Sequence, residues 1–275
     1  MMTRTWRLST FVLCVTALTG CDGLDIVAAQ AQARGTFERT LTVNGPVDLS
    51  VRTGSGDIQI RAGSGDRVQV TGRIFAREFM SGDATARVQD IEKAPPIVQN
   101  GNVIRIGETN DDTRYRNVSI SYELVVPADA RITSRTGSGD QSIGSLNGPV
   151  NAHTGSGDIH IERTGGSLDA RTGSGDIRAA AVAGAIHAQT GSGDVEIRQT
   201  QRGEVAVQTG SGDVTISLPS EAAFTLDART GSGSISTAQT ISMQGRLGRN
   251  HVQGTVRGGG DNVRIRTGSG SIDIR

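Results

Sequence analysis

Thr172-Gly173-Ser174-Gly175-Asp176 is one copy of a pentapeptide that recurs along the chain. Five other complete copies begin at Thr53, Thr136, Thr154, Thr190 and Thr209, and two copies that end in Ser begin at Thr230 and Thr267. From Thr136 onward, successive copies start 18, 18, 18, 19, 21 and 37 residues apart. A short and nearly constant period of this kind indicates a repeat architecture.

Polar and apolar residues alternate on both sides of the motif. Ile159-His160-Ile161 follows one copy, and Leu168-Asp169-Ala170-Arg171 leads into the next. Because successive side chains of a β-strand point to opposite faces, each run predicts a short strand with one buried face. Each period therefore contains two strands, with Ile, Val, Leu, Ala and the motif Thr facing inward.

Glycine-rich turns separate these strands. The Gly-Ser-Gly-Asp segment offers glycines for positive φ and an Asp that can bond its own backbone. The opposite turn carries Gly144, Gly165, Gly184 or Gly203. Two strands and two turns make one coil, so the sequence predicts an all-β parallel β-solenoid with about 18 residues per coil and two facing sheets. A meander of antiparallel hairpins shares the alternation but leaves one sheet face uncovered.

The composition agrees with a thin core. Aromatic residues make up 3% of the 275 residues and 38 residues are Gly, which suits a two-sheet solenoid better than a globular enzyme. Lys plus Arg and Asp plus Glu both number 28, and Lys93 is the only lysine. A chain without a basic excess is not expected to bind nucleic acid.

The amino terminus reads as a targeting segment. Arg4 and Arg7 precede an apolar stretch, residues 8–18, that is too short for a membrane helix. Leu18-Thr19-Gly20-Cys21 resembles the bacterial lipoprotein signal, which implies cleavage after residue 20 and a lipid on Cys21. The alternative is an ordinary secretory peptide that is cut within residues 28–33.

Lipidation would account for both cysteines. Cys14 leaves with the signal peptide, residues 1–20, and Cys21 becomes a thioether, so no disulfide is expected. Asp22 favours retention at the inner membrane, and residues 21–34 have the composition of a flexible tether. These features predict an exported protein of the bacterial envelope that is anchored to a membrane by its lipid and faces the periplasm.

Residues 35–275 are predicted to form one solenoid domain, most regular over residues 136–237. Within the 83 residues between Thr53 and Thr136, the segment 81–94 has helical periodicity, Ser81 or Asp83 as its cap, and prolines directly after it. We expect this helix to cover an open end of the solenoid; the alternative is a helix that binds a partner. The chain ends directly after its last motif and strand, so we expect that strand to be protected only by its charged residues.

Several segments together resemble the bacterial β-strand-repeat family of unknown function that is often labelled "putative adhesin". They are the opening strand, residues 35–39, residues 119–127 that lead into the Thr136 motif, the run of motif coils, and the closing segment, residues 258–274. The resemblance implies a β-solenoid-like fold in secreted or membrane-attached envelope proteins. It supplies no catalytic residues.

One motif aspartate per coil should form a column with a spacing of about 4.7–4.9 Å. The members are Asp140, Asp158, Asp176, Asp194 and Asp213. Calcium-binding nonapeptide repeats carry Gly-Gly-x-Gly-x-Asp in each half coil, whereas here the Asp follows Gly directly and occurs once per coil. Turn capping is therefore the favoured role, weak calcium binding is the alternative, and no other cofactor is expected.

The residue before each motif threonine should form a second, outward-facing column. It comprises Arg135, His153, Arg171, Gln189, Gln208, Arg229 and Arg266. This polar stripe is either a solvated face or a surface for an anionic glycan or lipid. The four histidines, His153, His160, His187 and His251, show no metal-ligand spacing.

These observations favour a non-enzymatic, lipid-anchored envelope protein whose solenoid is a scaffold or an adhesin-like binding surface. Two alternatives from other classes are a polysaccharide-active β-helix enzyme and an envelope-stress sensor that acts through a protein partner. The phosphate-binding and nucleophile-elbow glycine patterns are absent from the sequence.

Overall fold

The motif coils stack side by side in the computed structural model of the chain, which describes residues 32–77, 83–108, 115–238, 240 and 242–275, without the side chains of 243–247. The signal peptide, Cys21 and nearly all of the tether lie outside the described residues. Residues 32–34, which were assigned to the tether, belong to the first strand.

The amino-terminal part contains seven strands and one helix among the described residues. They are β1 (Gln32–Thr42), β2 (Asp48–Ser55), β3 (Ile58–Gly63), β4 (Arg67–Arg77), α1 (Ala84–Lys93), β5 (Ile97–Asn100), β6 (Val103–Ile106) and β7 (Val118–Pro127). The regular repeats follow as β8 (Arg131–Ser138), β9 (Gln141–Leu146), β10 (Val150–Ser156), β11 (Ile159–Thr164), β12 (Leu168–Ser174), β13 (Ile177–Val182), β14 (Ile186–Ser192), β15 (Val195–Gln199), β16 (Val205–Ser211) and β17 (Val214–Ser217). The carboxyl-terminal strands are β18 (Phe224–Ser232), β19 (Ile235–Thr237), β20 (Ser242–Gly248), β21 (His251–Val256), β22 (Asp261–Ser269) and β23 (Ile272–Ile274).

Each coil places one strand in each of two sheets. Sheet I has the order β1-β4-β7-β3-β9-β11-β13-β15-β17-β23-β19, and sheet II has the order β20-β21-β18-β22-β16-β14-β12-β10-β8-β2-β6-β5. A coil is named below by its motif threonine, so β12 and β13 form the Thr172 coil. The aliphatic residues of both sheets face each other and are almost fully buried, as Ile177 and Leu168 are in the Thr172 coil.

Equivalent residues of neighbouring coils lie opposite each other. Thr154 pairs with Thr172 in sheet II, and Ile159 pairs with Ile177 in sheet I, both in parallel strands. The 18-residue spacing produces this register between the Thr136 and Thr190 coils. The Thr209 coil keeps the register at a spacing of 19 residues, because the turn between β15 and β16 is longer. The predicted parallel β-solenoid with two strands per coil is confirmed.

The amino-terminal end departs from this pattern. The Thr53 coil lies directly against the Thr136 coil, although 83 residues separate the two motifs. The intervening segment continues both sheets beyond the Thr53 coil: β7 and β4 extend sheet I, and β6 and β5 extend sheet II. Strand β1, which precedes the Thr53 coil in the sequence, pairs with β4 and forms the edge of sheet I. Several of these strand pairs are antiparallel. Antiparallel pairing, which was the alternative considered for the repeats, therefore occurs at this end of the stack.

Helix α1 packs on the outermost strands of sheet I. Asp83 is its cap and accepts a hydrogen bond from the N–H of Ala86 at 3.0 Å, while Val88 and Ile91 are buried. The N–H of Thr36 on β1 donates to Oε1 of Glu92 at 2.8 Å, which ties the helix to this strand. The helix thus packs against β1 and β4 at one end of sheet I, and its Glu92 accepts a backbone N–H of the edge strand β1. In the described part of the chain, no helix is long and apolar enough to cross a membrane.

The carboxyl-terminal coil does not lie at the end of the stack, which contradicts the expectation that its strand is protected only by charged residues. Strands β22 and β23, which form the Thr267 coil, insert between the Thr209 coil and the Thr230 coil. The last strand is therefore hydrogen-bonded on both sides and does not depend on charged residues for protection. The 37-residue spacing before Thr267 holds the antiparallel strands β20 and β21, which continue sheet II beyond the Thr230 coil.

A disulfide experiment tests this order. Ser211 and Ser269 are exposed register partners in adjacent strands, and Ser269 lies in turn beside Ser232. With Cys14 and Cys21 replaced by Ser, the pair Ser211→Cys and Ser269→Cys should form a disulfide, because adjacent strands about 4.8 Å apart are within disulfide range. The mobility of the oxidised chain on non-reducing gels measures it.

The matched pair is Ser211→Cys with Ser232→Cys, which would be neighbours if the coils stacked in chain order. In the observed order they are two strands apart, about 10 Å, which exceeds disulfide reach. Crosslinking of this second pair in place of the first would contradict the inserted coil.

Candidate functional site

The corner of each coil is built by the last two residues of the motif. In the Thr172 coil, strand β12 continues through Ser174, and Gly175 and Asp176 alone make the bend into β13. Gly175 has a φ of 143°, a conformation that favours glycine. The sequence expectation that both glycines supply positive φ is wrong for the first one.

The first motif glycine is required by the distance between coils. A Cβ on Gly173 would lie 2.5 Å from the carbonyl oxygen of Gly155 in the preceding coil. The same distance recurs at Gly137, Gly155, Gly191, Gly210, Gly231 and Gly268. Neighbouring backbones can therefore approach each other closely at these positions, because neither of the two facing glycines carries a side chain.

Buried threonine hydroxyls join successive coils. Oγ1 of Thr172 donates to the carbonyl of Gly157 at 3.0 Å, and the N–H of Gly157 donates to the carbonyl of Ser174 at 2.9 Å. Equivalent threonine bonds occur along the whole stack, between 2.7 and 3.2 Å. The motif Thr is thus an inward residue whose polar atom is satisfied by the neighbouring corner.

The motif aspartates form the predicted column, but they bond the neighbouring coil and not their own turn. Oδ1 of Asp158 accepts from the N–H of Asp176 at 2.8 Å, and Oδ1 of Asp176 accepts from the N–H of Asp194 at 2.8 Å. The ladder begins at Asp57 and ends where Asp213 accepts from the N–H of Ser271. The two motifs that end in Ser belong to the last two coils of this spatial order.

One oxygen of each column carboxylate is therefore occupied by a backbone donor. The described residues contain no group of three or more His, Cys, Asp or Glu side chains that could hold a metal ion. Weak calcium binding by this column stays a prediction, and the hydrogen bonds assign a structural role to the same residues.

The polar stripe forms one column on the outer face of sheet II. Its spatial order is Arg135, His153, Arg171, Gln189, Gln208, Arg266 and Arg229, with Arg52 before it and His251 after it. The inserted coil places Arg266 beside Arg229, which the order of the sequence does not suggest. The side chains of Arg171, Arg229 and Arg266 are about half exposed, at 45%, 50% and 51%.

Two carboxylates hold the arginines of the stripe, and the sequence analysis did not single them out. Nη2 of Arg171 donates to Oδ2 of Asp169 at 2.9 Å, and Nε of Arg229 donates to Oδ1 of Asp227 at 3.0 Å. Each Asp stands two residues before its Arg, so both side chains point to the same face of the strand. This spacing was a readable signal for the ion pairs.

The same carboxylates contact the histidines of the column. Partial burial opposes the ionisation of Asp227, but hydrogen bonds and charges from Arg229 and His251 outweigh it and lower its pKa. Partial burial lowers the pKa of His153 more than the nearby Asp169 raises it. The lowered pKa favours the neutral form of His153 at pH 7, so this histidine adds little positive charge to the stripe.

A family model described as Toastrack DUF4097 matches residues 33–275. A search of curated proteins found no match.

Three solved structures resemble the chain at low sequence identity. A "putative cell adhesion protein" from Clostridium sporogenes is 15% identical to this chain, with a TM-score of 0.37. The match covers 88% of this chain and 99% of that protein. "Putative adhesins" from Bacteroides fragilis and Parabacteroides distasonis are 10% and 12% identical, with TM-scores of 0.37 and 0.34. Each match covers 88% of this chain and 97% of the other protein.

Substitution of the first motif glycine tests the close contact between coils. Gly173→Ala should destabilise the protein by at least about 2 kcal/mol, because the added Cβ meets a backbone carbonyl that cannot rotate away. Gly54 is the matched control: it stands at the same motif position, but a Cβ there meets no atom within 4 Å. Gly54→Ala should change stability by less than about 0.5 kcal/mol.

Urea unfolding followed by circular dichroism measures both changes. Equal effects of the two substitutions would show that the glycines matter for chain flexibility and not for contact between coils.

Proposed function

The chain belongs to the Toastrack family, and we propose that it is a non-enzymatic, lipid-anchored protein of the bacterial cell envelope. In this proposal the solenoid is a scaffold whose polar stripe is an adhesin-like binding surface for an anionic glycan. The protein is held to a membrane by a lipid on Cys21, on the periplasmic side, with Asp22 favouring the inner membrane. The observation that carries the proposal is the in-register column of half-exposed arginines on sheet II.

The geometry of the arginines supports binding of anions. A guanidinium has five N–H donors, and the ion pairs within sheet II use only part of them. Asp169 and Asp227 hold Arg171 and Arg229 in place, so little side-chain entropy is lost when a ligand binds. Phosphate and carboxylate groups are the partners that such a fork of donors matches best.

The repeat spacing supports an extended ligand. Neighbouring strands place equivalent side chains about 4.8 Å apart, so the stripe offers donors at regular intervals along the stack. A polymer with repeated charges can contact several coils at once, and such contacts add avidity without a deep pocket. An envelope protein with an acidic surface is the alternative partner.

The shape of the coils supports a role without catalysis. The corners at Asp176 and its equivalents are two residues long, and the opposite turns are short as well. Active-site clefts on repeat scaffolds are usually built from long loops beside the repeats. The continuous strand surface favours binding along the stack.

Substitution of the stripe arginines tests the binding surface. Arg171→Ser with Arg229→Ser should reduce the pull-down of lipopolysaccharide or an anionic glycan severalfold, because two charge-assisted contacts are removed. The matched control is Arg163→Ser with Arg178→Ser on sheet I. Arg178 is 49% exposed and pairs with Asp176, just as Arg171 pairs with Asp169. Equal retention by both double variants would reject the stripe as the binding surface.

Labelling with a palmitate analogue tests the anchor in cells. The wild-type chain and the Cys14→Ser variant should be labelled and remain with membranes. Cys21→Ser should lose both the label and the membrane association, since the attachment thiol is gone. Absence of label from the wild-type chain would contradict the lipoprotein proposal and favour a secretory signal.

A further inference from the structure

A groove runs along the outer face of sheet II beside the polar stripe. Its volume is about 450 Å³, within the range of small-molecule sites. Five adjacent coils line it, from the Thr136 coil to the Thr209 coil. Thr133, Asn151, Asp169 and His187 form its floor, and one wall begins at Arg131 and ends at Glu204.

The floor contains polar atoms without hydrogen bonds. Oδ1 of Asn151, Oδ1 of Asp169 and Nε2 of His153 are shielded from solvent and make no hydrogen bond in the structure. Nε2 of His153, which lies beside the groove and not in its lining, faces Oδ1 of Asp169 at 3.5 Å, the outer limit of a hydrogen bond. Unsatisfied buried acceptors are rare in proteins, and each calls for an explanation.

Asn151 and Asp169 are register partners on β10 and β12, so their two acceptors lie side by side. The terminal torsion of Asn is broad, and a small rotation turns the Asn151 oxygen into the groove. Asp169 is held by Arg171 through Oδ2, and its side chain is 31% exposed. A ligand that satisfies both acceptors has to bring hydrogen-bond donors. Hydroxyl and amide groups supply such donors without adding charge.

The charges of the groove select against an anionic ligand. Asp169 and Glu204 carry negative charge, Arg131 carries positive charge, and apart from His187 the remaining lining residues have no ionisable side chain. The groove therefore differs from the adjacent stripe, in which arginines predominate. A neutral ligand meets no opposing field here.

The spacing of the floor selects the kind of polymer. One polar side chain per coil recurs about every 4.8 Å along the groove. An extended peptide rises about 3.3 Å per residue and falls out of step with this repeat. A pyranose ring in an extended oligosaccharide is close to one coil in length.

We propose that this groove binds a neutral, hydroxyl-rich oligosaccharide lying along the stack, with one sugar ring per coil and with ring hydroxyls or N-acetyl amides donating to Asn151 and Asp169. The inference rests on the proposed binding function of this sheet face. It adds a second ligand class and a site distinct from the arginine column.

Calorimetric titration of the full chain tests the site. The probes are the neutral hexasaccharides chitohexaose and maltohexaose, with chitobiose as a short comparison. A hexasaccharide that spans all five coils should bind to the protein at least about tenfold more tightly than chitobiose, because each additional sugar ring adds contacts of the same kind. Asn151→Ala with Asp169→Ala should weaken binding of the hexasaccharide by about tenfold.

A blocking variant separates the groove from the rest of the fold. Ala185 is exposed on the groove wall, and Ala185→Arg should abolish binding of the hexasaccharides. Ala180→Arg is the matched control, since Ala180 is an exposed alanine of the same repeat on sheet I and outside the groove. Circular dichroism verifies that both variants fold.

Each other outcome overturns the proposal. No binding of either hexasaccharide, equal affinity for chitobiose and chitohexaose, or full binding by Ala185→Arg rejects a neutral glycan in this groove. Tighter binding of an anionic heparin hexasaccharide that Arg131→Ser abolishes assigns the groove to anions instead. Failure here with a positive lipopolysaccharide pull-down leaves the arginine stripe as the binding surface, so the two proposals fail separately.

Discussion

Close approach of neighbouring backbones at the glycine corners is the constraint on which the structure depends. The first motif glycine leaves room for the carbonyl of the preceding coil, as at Gly173 and Gly155. The second glycine, such as Gly175, takes the φ that the two-residue bend requires. Only with both in place do the Thr hydroxyl and the Asp carboxylate reach the next corner. Glycine therefore acts here through contacts between coils as much as through backbone freedom.

The inserted Thr267 coil places the last strands of the sequence inside the stack. Its strands are held on one side by the Thr209 coil and on the other by the Thr230 coil, so the carboxyl terminus stabilises segments that precede it in the sequence. The final edge of sheet I is short, since β19 has three residues, whereas sheet II continues beyond the last coil through β21 and β20. Short edge strands limit pairing with other chains, which is the usual risk of an open sheet.

The register also gives the surface its properties. Because equivalent residues of successive coils lie side by side, the residues at one position of the repeat form a column along the face of a sheet. Arginines held by Asp169 and Asp227 make one such column, and the floor of the groove makes another beside it. The two columns differ in charge although they share strands. A repeat scaffold can thus carry different binding surfaces on adjacent lines of the same sheet.

The motif spacing and the alternation at Ile159 and Leu168 were sufficient to predict the two-strand coil, and helical periodicity with Asp83 as a cap was sufficient to predict α1. These signals are local, because the spacing of apolar residues within one strand or one helix shows which of its faces is buried. The partners of each corner were decided by the tertiary structure. Asp176 bonds the next coil, Arg266 lies beside Arg229, and the Thr53 coil joins the Thr136 coil across 83 residues, since spatial order depends on which surfaces bury each other and not on chain order.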